Sequence, residues 1–301
     1  MDKKAELVES LTEQLASLRH AESLTAALAG IHYENFLVAS MLLPRRLRQP
    51  FFNFYAFCRI ADDLADESPS PAIATQRLAA FRQQLDCATQ GSPISNLFLA
   101  LGKTIQEFQL PTEPFHNLLD AFEQDQTKVR YQDFDELLHY CQRSANPVGR
   151  IVLEMADCSN AETQALSDDI CTGLQLANHW QDVARDFAIG RIYLPTDRWA
   201  EFGVDEAMFG SPGQPSRSTP DPLRRLISAQ CDVAQQYLDR GLGLAEIVPG
   251  WLATDIKLFA HGGLQTLIAI RGIDYDVFAV RPTVRRTTQV KLTIKALLRL
   301  L

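Results

Sequence analysis

The chain has 301 residues, 46% of them hydrophobic and 22% charged, which is enough apolar material for a sizeable core and too little net charge for disorder. Its net charge of -8 argues against a general nucleic-acid binder, because phosphate contacts demand a basic face. The cysteines at positions 58, 87, 141, 158, 171 and 231 are scattered with no C-x-x-C spacing, which reads as reduced thiols of an intracellular protein and argues against zinc.

From Met1 to Ser10 acidic and basic residues alternate without an apolar stretch, so neither a signal peptide nor a spanning helix is expected and the cytoplasm is the default address. Nothing resembling a flexible linker divides the halves, so a single domain over residues 1–301 is expected, with 1–28 as a helical extension. Leu7, Leu11, Leu15, Leu18, Leu24 and Leu28 make Lys4 to Leu28 an amphipathic helix broken near His20, with a packing role. His32 to Ser40 carries polar residues into an apolar pattern, where Asn35 either lines a cavity or caps the helix. Pro44 is placed to open the next helix.

Arg45 to Asp66 reads as one long helix with Phe51, Phe52, Phe54, Tyr55 and Phe57 on several faces, which implies deep burial. Its end gathers Arg59, Asp62, Asp63, Asp66 and Glu67. Residues four apart share a face and rise about 6 Å, so Asp62 and Asp66 point the same way with Asp63 flanking. Such oxygens suit a hard divalent cation such as Mg2+, although a solvated helix end would carry the same acids. Charge at the end of a buried helix is costly unless a metal or a cation offsets it. Arg59 either neutralises the acids or reaches a phosphate. Ser68-Pro69-Ser70-Pro71 ends the helix.

Further helices are expected over Thr75 to Ala88, Ile94 to Phe108, Thr112 to Gln126 and Phe134 to Ala145. No stretch shows the period-two alternation of strands, so the fold class is all-α. Asp120, Glu123 and Asp125 with Lys128 and Arg130 read as a solvated face with ion pairs. Asn146-Pro147-Val148-Gly149 interrupts the run from Leu137 to Met155, just after Tyr140. Pro147 should bend the helix and Gly149 should permit close approach, for a packing reason or to line a cavity.

Ser167 to Phe187 repeats the acidic spacing: Asn178, Asp182 and Asp186 stand at i, i+4 and i+8, with Gln175 on the same stripe. This second copy favours the metal reading for both. His179 and Trp180 fall off the stripe and read as packing residues, and Gly190 to Pro195 closes the helix. Residues 209–222 are rich in breakers and read as a mobile loop, after which helices resume over Leu223 to Leu242 and Trp251 to Arg271. Beyond Tyr275 the chain turns basic through Arg281, Arg285, Arg286, Lys291, Lys295 and Arg299. That end reads as a phosphate-facing edge or as a surface attracted to anionic lipid, with a solvated helix face open for Lys295 and Arg299.

Two aspartate-rich helices make joint sense if they face each other across a cavity in which Mg2+ bridges a substrate diphosphate and neutralises it as it departs. The cation left behind needs an apolar, aromatic-lined chamber that excludes water. The run from Phe54 to Asp66, the stripe Gln175, Asn178, Asp182 and Asp186, and the trailing Gly190-Arg191-Ile192-Tyr193-Leu194-Pro195 together resemble the squalene/phytoene synthase family, from about His32 to Lys291. The resemblance implies an isoprenoid synthase fold, a helical bundle around a central apolar cavity with a Mg2+ cluster. It implies that Asp62, Asp66, Asn178, Asp182 and Asp186 hold metal and diphosphate, with Asp63 as a further metal candidate. By the same likeness Arg59 and Tyr275 contact diphosphate, Tyr55, Tyr140 and Gln175 line the cavity with Tyr140 among the catalytic groups, and His32 and Asn35 belong to an early polar segment that binds substrate.

Two departures narrow the likeness. Condensing members of the family carry Val-Ala-Gly-x-Val-Gly at the helix break and an arginine immediately before the aspartate of the second motif; this chain has Ser144-Ala145-Asn146-Pro147-Val148-Gly149 and Gln181. With Glu34-Asn35-Phe36 and Trp180-Gln181-Asp182, these look like the hydroxysqualene synthase branch of bacterial hopanoid synthesis. That branch implies presqualene diphosphate as the substrate, loss of diphosphate, rearrangement and water capture, with no reductant. The rival expectation is a head-to-head condensing synthase making presqualene diphosphate, dehydrosqualene or phytoene. A non-catalytic helical assembly factor would be expected to shed its metal carboxylates, and all are present. No obligate protein partner is inferred. Transient contact with a membrane surface is expected, because substrate and product are lipids.

Overall fold

The computed structural model describes residues 3–12, 15–31, 43–211 and 214–297. His32 and Asn35, with the rest of the segment at 32–42, lie outside the described residues, as do 212–213 and Arg299. The chain parts into two units, Met1–Thr127 with Arg150–Ser159, and Lys128–Gly149 with Asn160–Leu301.

In the first unit the N-terminal pattern resolves into α1 (Lys3–Thr12) and α2 (Leu18–Ile31). The break therefore falls just before Leu18, a few residues ahead of His20, which lies inside α2. Asn96 accounts for its position: its side-chain amide donates to Ser10 O at 2.9 Å and accepts from Ala16 N at 2.8 Å, satisfying backbone groups that the interruption leaves open. α3 (Arg45–Asp66) is the long helix expected, and α4 (Pro71–Thr89), α5 (Asn96–Phe108) and α6 (Glu113–Gln124) follow. The Ser-Pro run that stops α3 also starts α4 well before Thr75, because the Ser70 side chain accepts from Ile73 N and Pro71 sits in the first turn.

α3 is held by its aromatic face. The Phe57 ring lies 5.4 Å from Phe81 and from Phe115 and 6.3 Å from Phe98, and Phe54 lies 5.7 Å from Phe115. Burying each such ring contributes roughly 1.5–3 kcal/mol, and each ring pair about 0.5–1.5 kcal/mol more. A polar lock adds direction: buried Asn53 accepts from Thr25 Oγ1 at 2.6 Å and donates to Ala100 O at 3.1 Å and Thr104 Oγ1 at 3.0 Å, tying α2, α3 and α5. Together these contacts fix the helix whose last turn carries the acids. Asp120 and Glu123 find a counter-charge inside the same unit, on Arg82 at 2.7 and 3.1 Å.

In the second unit α7 (Phe134–Ser144) is capped by Asp133, whose side chain accepts from Glu136 N. The expected kinked helix across Pro147 is corrected. α7 stops at Ser144, Ala145 leaves helical geometry at φ -125°, and α8 (Asn146–Met155), whose residues from Arg150 on belong to the first unit, starts afresh. Pro147 is the second residue of α8, where its missing N–H forfeits no helical bond, so no carbonyl is freed by a bend. Gly149 does permit close approach: a Cβ there would stand 2.2 Å from Ser167 Oγ and 2.7 Å from Cys171 Sγ.

α9 (Ala161–Ala188) extends upstream of the expected Ser167 start because Asn160 and Thr163 form a capping box. Gly190, at φ 88°, turns the chain away from it, and Ile192 N then donates to Val129 O at 2.9 Å. A one-turn helix α10 (Trp199–Phe202) leads to α11 (Asp221–Gly241), α12 (Gly250–Gly272) and α13 (Arg286–Leu297). α11 and α12 pack on α9; a Cβ at Gly173 would meet Leu238 Cγ at 2.8 Å, so α9 and α11 approach nearly backbone to side chain. Among the described residues the all-α reading has small exceptions, an antiparallel pairing of Gly210–Ser211 with Gln214–Pro215 and an isolated bridge between Arg130 and Ile192. Further along the same stretch Thr219 is buried, and its N–H donates to Asp276 Oδ1 at 2.6 Å. All six cysteines are free. Among the described residues no helix is long and apolar enough to cross a membrane.

Candidate active site

At the end of α3 the helical spacing separates three aspartates into two environments. Asp63 points inward and is buried; it pairs with Arg59, and Lys4 Nζ from α1 stands 3.0 Å from its Oδ2. Lys4 also reaches Glu67 Oε1 at 2.9 Å. Asp62 and Asp66 share the outer face, Asp62 half-buried and Asp66 exposed. Arg59 Nη1 lies 3.2 Å from Asp62 Oδ2, so Arg59 neutralises the acids, and its side chain is partly exposed. Burial nevertheless pushes the Asp62 carboxyl up to about 6; Arg59 opposes that rise, and Asp66 and Asp63 add to it. Tyr55, two turns before Asp62, is half-buried, and burial raises its phenol.

The second stripe lies on α9 of the other unit. Asn178 is exposed, and Asp182 and Asp186 are half-buried. Asp182 is held by Arg281, whose Nε donates to Oδ1 at 2.5 Å and whose Nη2 donates to Oδ2 at 3.0 Å. Arg185 Nη1 stands farther off, 3.8 Å from Asp182 Oδ1. Asp186 borders a crevice with Trp180, Arg191 and Tyr193.

Beside this stripe is a set of buried rings. Tyr140 lies 5.6 Å from Tyr131 and 5.7 Å from Tyr193, and His179 stacks on Tyr193 at 3.7 Å. His179 does pack, as expected, but it packs within the group that contains Tyr140. Burial pushes its imidazole down to about 3, so the ring is neutral at physiological pH. Gln175, half-buried, brings its Nε2 to 3.4 Å from His179 Nε2. Trp180 is wholly buried.

Tyr275 follows α12 in a strained turn: Asp274 and Tyr275 are consecutive non-glycine residues in the left-handed region, at φ 51° and 57°. Arg224 holds the turn by donating to Asp274 Oδ2 and Asp276 Oδ2, both at 2.7 Å, and to Thr219 O at 2.8 Å. Within its own unit, then, each stripe gathers a cationic neighbour: Arg59 and Lys4 in the first, Arg281 in the second. Neither Lys4 nor Arg224 carried any sequence signal of this role, and Arg281 stood out only as one of several basic residues.

The donor chemistry fits Mg2+. Hard carboxylate oxygens repeat one turn apart on both stripes, and burial and two like-charged neighbours raise the Asp62 carboxyl even with Arg59 beside it. Among the described residues no three histidine, cysteine or carboxylate groups enclose a metal by themselves. That is compatible with Mg2+, which keeps waters and is typically held by one or two carboxylates together with substrate phosphates.

Comparison with known proteins draws these features together. Residues 31–288 match the profile of squalene/phytoene synthases. A hydroxysqualene synthase of Rhodopseudomonas palustris is 39% identical over 54% of this chain, and the match spans little more than half, 56%, of that relative's length. A chloroplastic phytoene synthase of Cucumis melo is 28% identical over 96% of this chain and 69% of its own length. The crystal structure of squalene synthase HpnC from Alicyclobacillus acidocaldarius superposes with a TM-score of 0.79 at 39% identity, covering 90% of this chain and 99% of that one. With a profile match over most of its length and an all-α architecture shared with a solved member, this chain belongs to the squalene/phytoene synthase family, a family of prenyl-transferring enzymes of isoprenoid biosynthesis.

Proposed function

We propose that the protein converts presqualene diphosphate and water into hydroxysqualene and diphosphate. The carbon–oxygen bond to diphosphate breaks, the cyclopropylcarbinyl cation rearranges, and a water oxygen closes the new bond with release of a proton. The observation that carries the reading is Gln181: a neutral amide precedes Asp182 where condensing members carry arginine, so that position offers no charge to capture a second diphosphate. The likeness to a hydroxysqualene synthase and to squalene synthase HpnC, each at 39% identity, supports it.

In this reading Asp62 and Asp66 on one stripe and Asn178, Asp182 and Asp186 on the other would hold Mg2+, which when bound would supply positive charge to the departing diphosphate. Asp63, buried against Arg59 and Lys4, serves the site by orienting Arg59. Arg59 and Tyr275 contact diphosphate oxygens, the guanidinium by charge and the phenol by hydrogen bonding. Tyr55 in the first unit, and Tyr140 and Gln175 in the second, would face the isoprenoid, where aromatic faces favour a cation and exclude stray water. His32 and Asn35 complete the substrate contacts.

A condensing reaction is the second reading, favoured by the likeness to a chloroplastic phytoene synthase over 96% of this chain and 69% of that relative. Product identification by gas chromatography and mass spectrometry decides between them. With presqualene diphosphate and Mg2+ the expected products are hydroxysqualene and diphosphate, and without Mg2+ neither forms. Asp62→Asn or Asp182→Asn should lower turnover roughly 100-fold or more with an unchanged circular dichroism spectrum. Release of diphosphate and a C30 product from farnesyl diphosphate alone would overturn the reading.

A further inference from the structure

We infer that Gln181 is a positioning residue that seats Arg281 on Asp182, so that the guanidinium and a divalent cation compete for one carboxylate. The inference rests on the metal reading of Asp182 given above.

Gln181 uses both ends of its amide on the segment after α12. Its Nε2 donates to Pro282 O at 2.7 Å, and its Oε1 accepts from Arg281 Nη2 at 3.2 Å. One side chain thus grips the backbone beyond Arg281 and the head group of Arg281 itself. Pro282 is buried and its ring limits φ, so the grip fixes the direction in which the arginine leaves the chain. The guanidinium then meets Asp182 fork to fork, at 2.5 and 3.0 Å. The contact joins residues 99 positions apart, and the two Gln181 bonds on α9 are what bring it into register.

Both Asp182 oxygens are engaged by Arg281, and a hard cation would seek the same lone pairs. Metal entry at Asp182 therefore exchanges one positive charge for another. An arginine at position 181 would lack the acceptor that Oε1 offers and would repel the Arg281 head group. A neutral amide at 181 and a guanidinium at 281 are in this sense a matched pair, which gives the departure at Gln181 a physical role beyond the loss of a charge.

Manganese serves as the probe, followed by electron paramagnetic resonance on the full chain without diphosphate. Gln181→Met keeps the side-chain shape and removes both hydrogen bonds; Arg281→Gln removes the competing charge. Each variant should bind Mn2+ about three- to fivefold more tightly than the parent, the size expected for a half-exposed ion pair, and the double variant should be no tighter than Arg281→Gln. Parent affinity in either single variant, or gains that add in the double, overturns the inference. Asp182→Asn separates the two layers. If it binds Mn2+ like the parent, the metal reading fails, and the positioning claim is then decided by amide hydrogen exchange over residues 280–285. Exchange there should rise alike in Gln181→Met, Arg281→Gln and Asp182→Asn, and parent-like protection in Gln181→Met overturns it.

Discussion

Replacing Asp255 by asparagine should make the second unit more stable at neutral pH, an advantage that disappears at about pH 4.5. Asp255 sits in α12 with 4% of its surface exposed, and among the described residues its Oδ1 has no hydrogen-bond partner. Burial alone pushes its carboxyl from 3.8 up to about 8. Between those two values the unfolded chain releases this proton while the native chain keeps it, so the native state binds more protons and stability falls as pH rises. The contribution is fully present below about pH 4 and is lost progressively up to the native value. At pH 7 the native group is held neutral about three pH units above its unfolded value, which at 1.36 kcal/mol for each is a penalty of at most about 4 kcal/mol. Asparagine cannot ionise in either state, so it removes that penalty while leaving one buried amide unsatisfied, for a net gain of about 2–3 kcal/mol. The three tryptophans, Trp180, Trp199 and Trp251, all lie in the second unit, so their fluorescence during urea unfolding reports on it. The variant should lead clearly at pH 7 and converge with the parent near pH 4.5. Parallel midpoints at both pH values, or a less stable variant at pH 7, would show that Asp255 is ionised against a counter-charge and would refute the argument.

Two further substitutions probe how the second unit presents its stripe. Gly149→Ala should cost about 1–3 kcal/mol in thermal melts, since its Cβ would stand 2.2 Å from Ser167 Oγ, and adding Ser167→Ala should recover part of the loss; an unchanged melt would show that α8 and α9 have room to part. Arg224→Gln should cost about 1–2 kcal/mol and speed amide exchange at residues 274–279, because it removes the donors that hold Asp274 and Tyr275 at φ 51° and 57°; unaltered exchange there would count against the clamp.

The local pattern was legible where a helix writes its own period. Asp62 with Asp66, and Asn178 with Asp182 and Asp186, fall on single faces from spacing alone, and the aromatic burial of α3 follows from Phe54 and Phe57. Boundaries were less legible, because caps move them: Ser70 with Pro71 starts α4 early, and Asn160 with Thr163 lengthens α9 upstream. Pro147 misled for a related reason. A proline inside an apolar run reads equally as a kink or as the second residue of a new helix, and the difference lies in one backbone torsion at Ala145.

By itself, then, the sequence determined the all-α class, the two acid stripes and the family, since each rests on residues that are neighbours along a helix or in an ordered set of short motifs. Only the tertiary structure decided which charge answers which acid. Lys4 reaches Asp63 from α1, and Arg281 reaches Asp182 across 99 positions through the grip of Gln181. Ion pairs and hydrogen bonds depend on separations of a few ångströms in space, and no periodicity along the chain encodes those. The same holds for Asp63: spacing set it beside the outward stripe as one more metal candidate, and folding turned it inward against two cations.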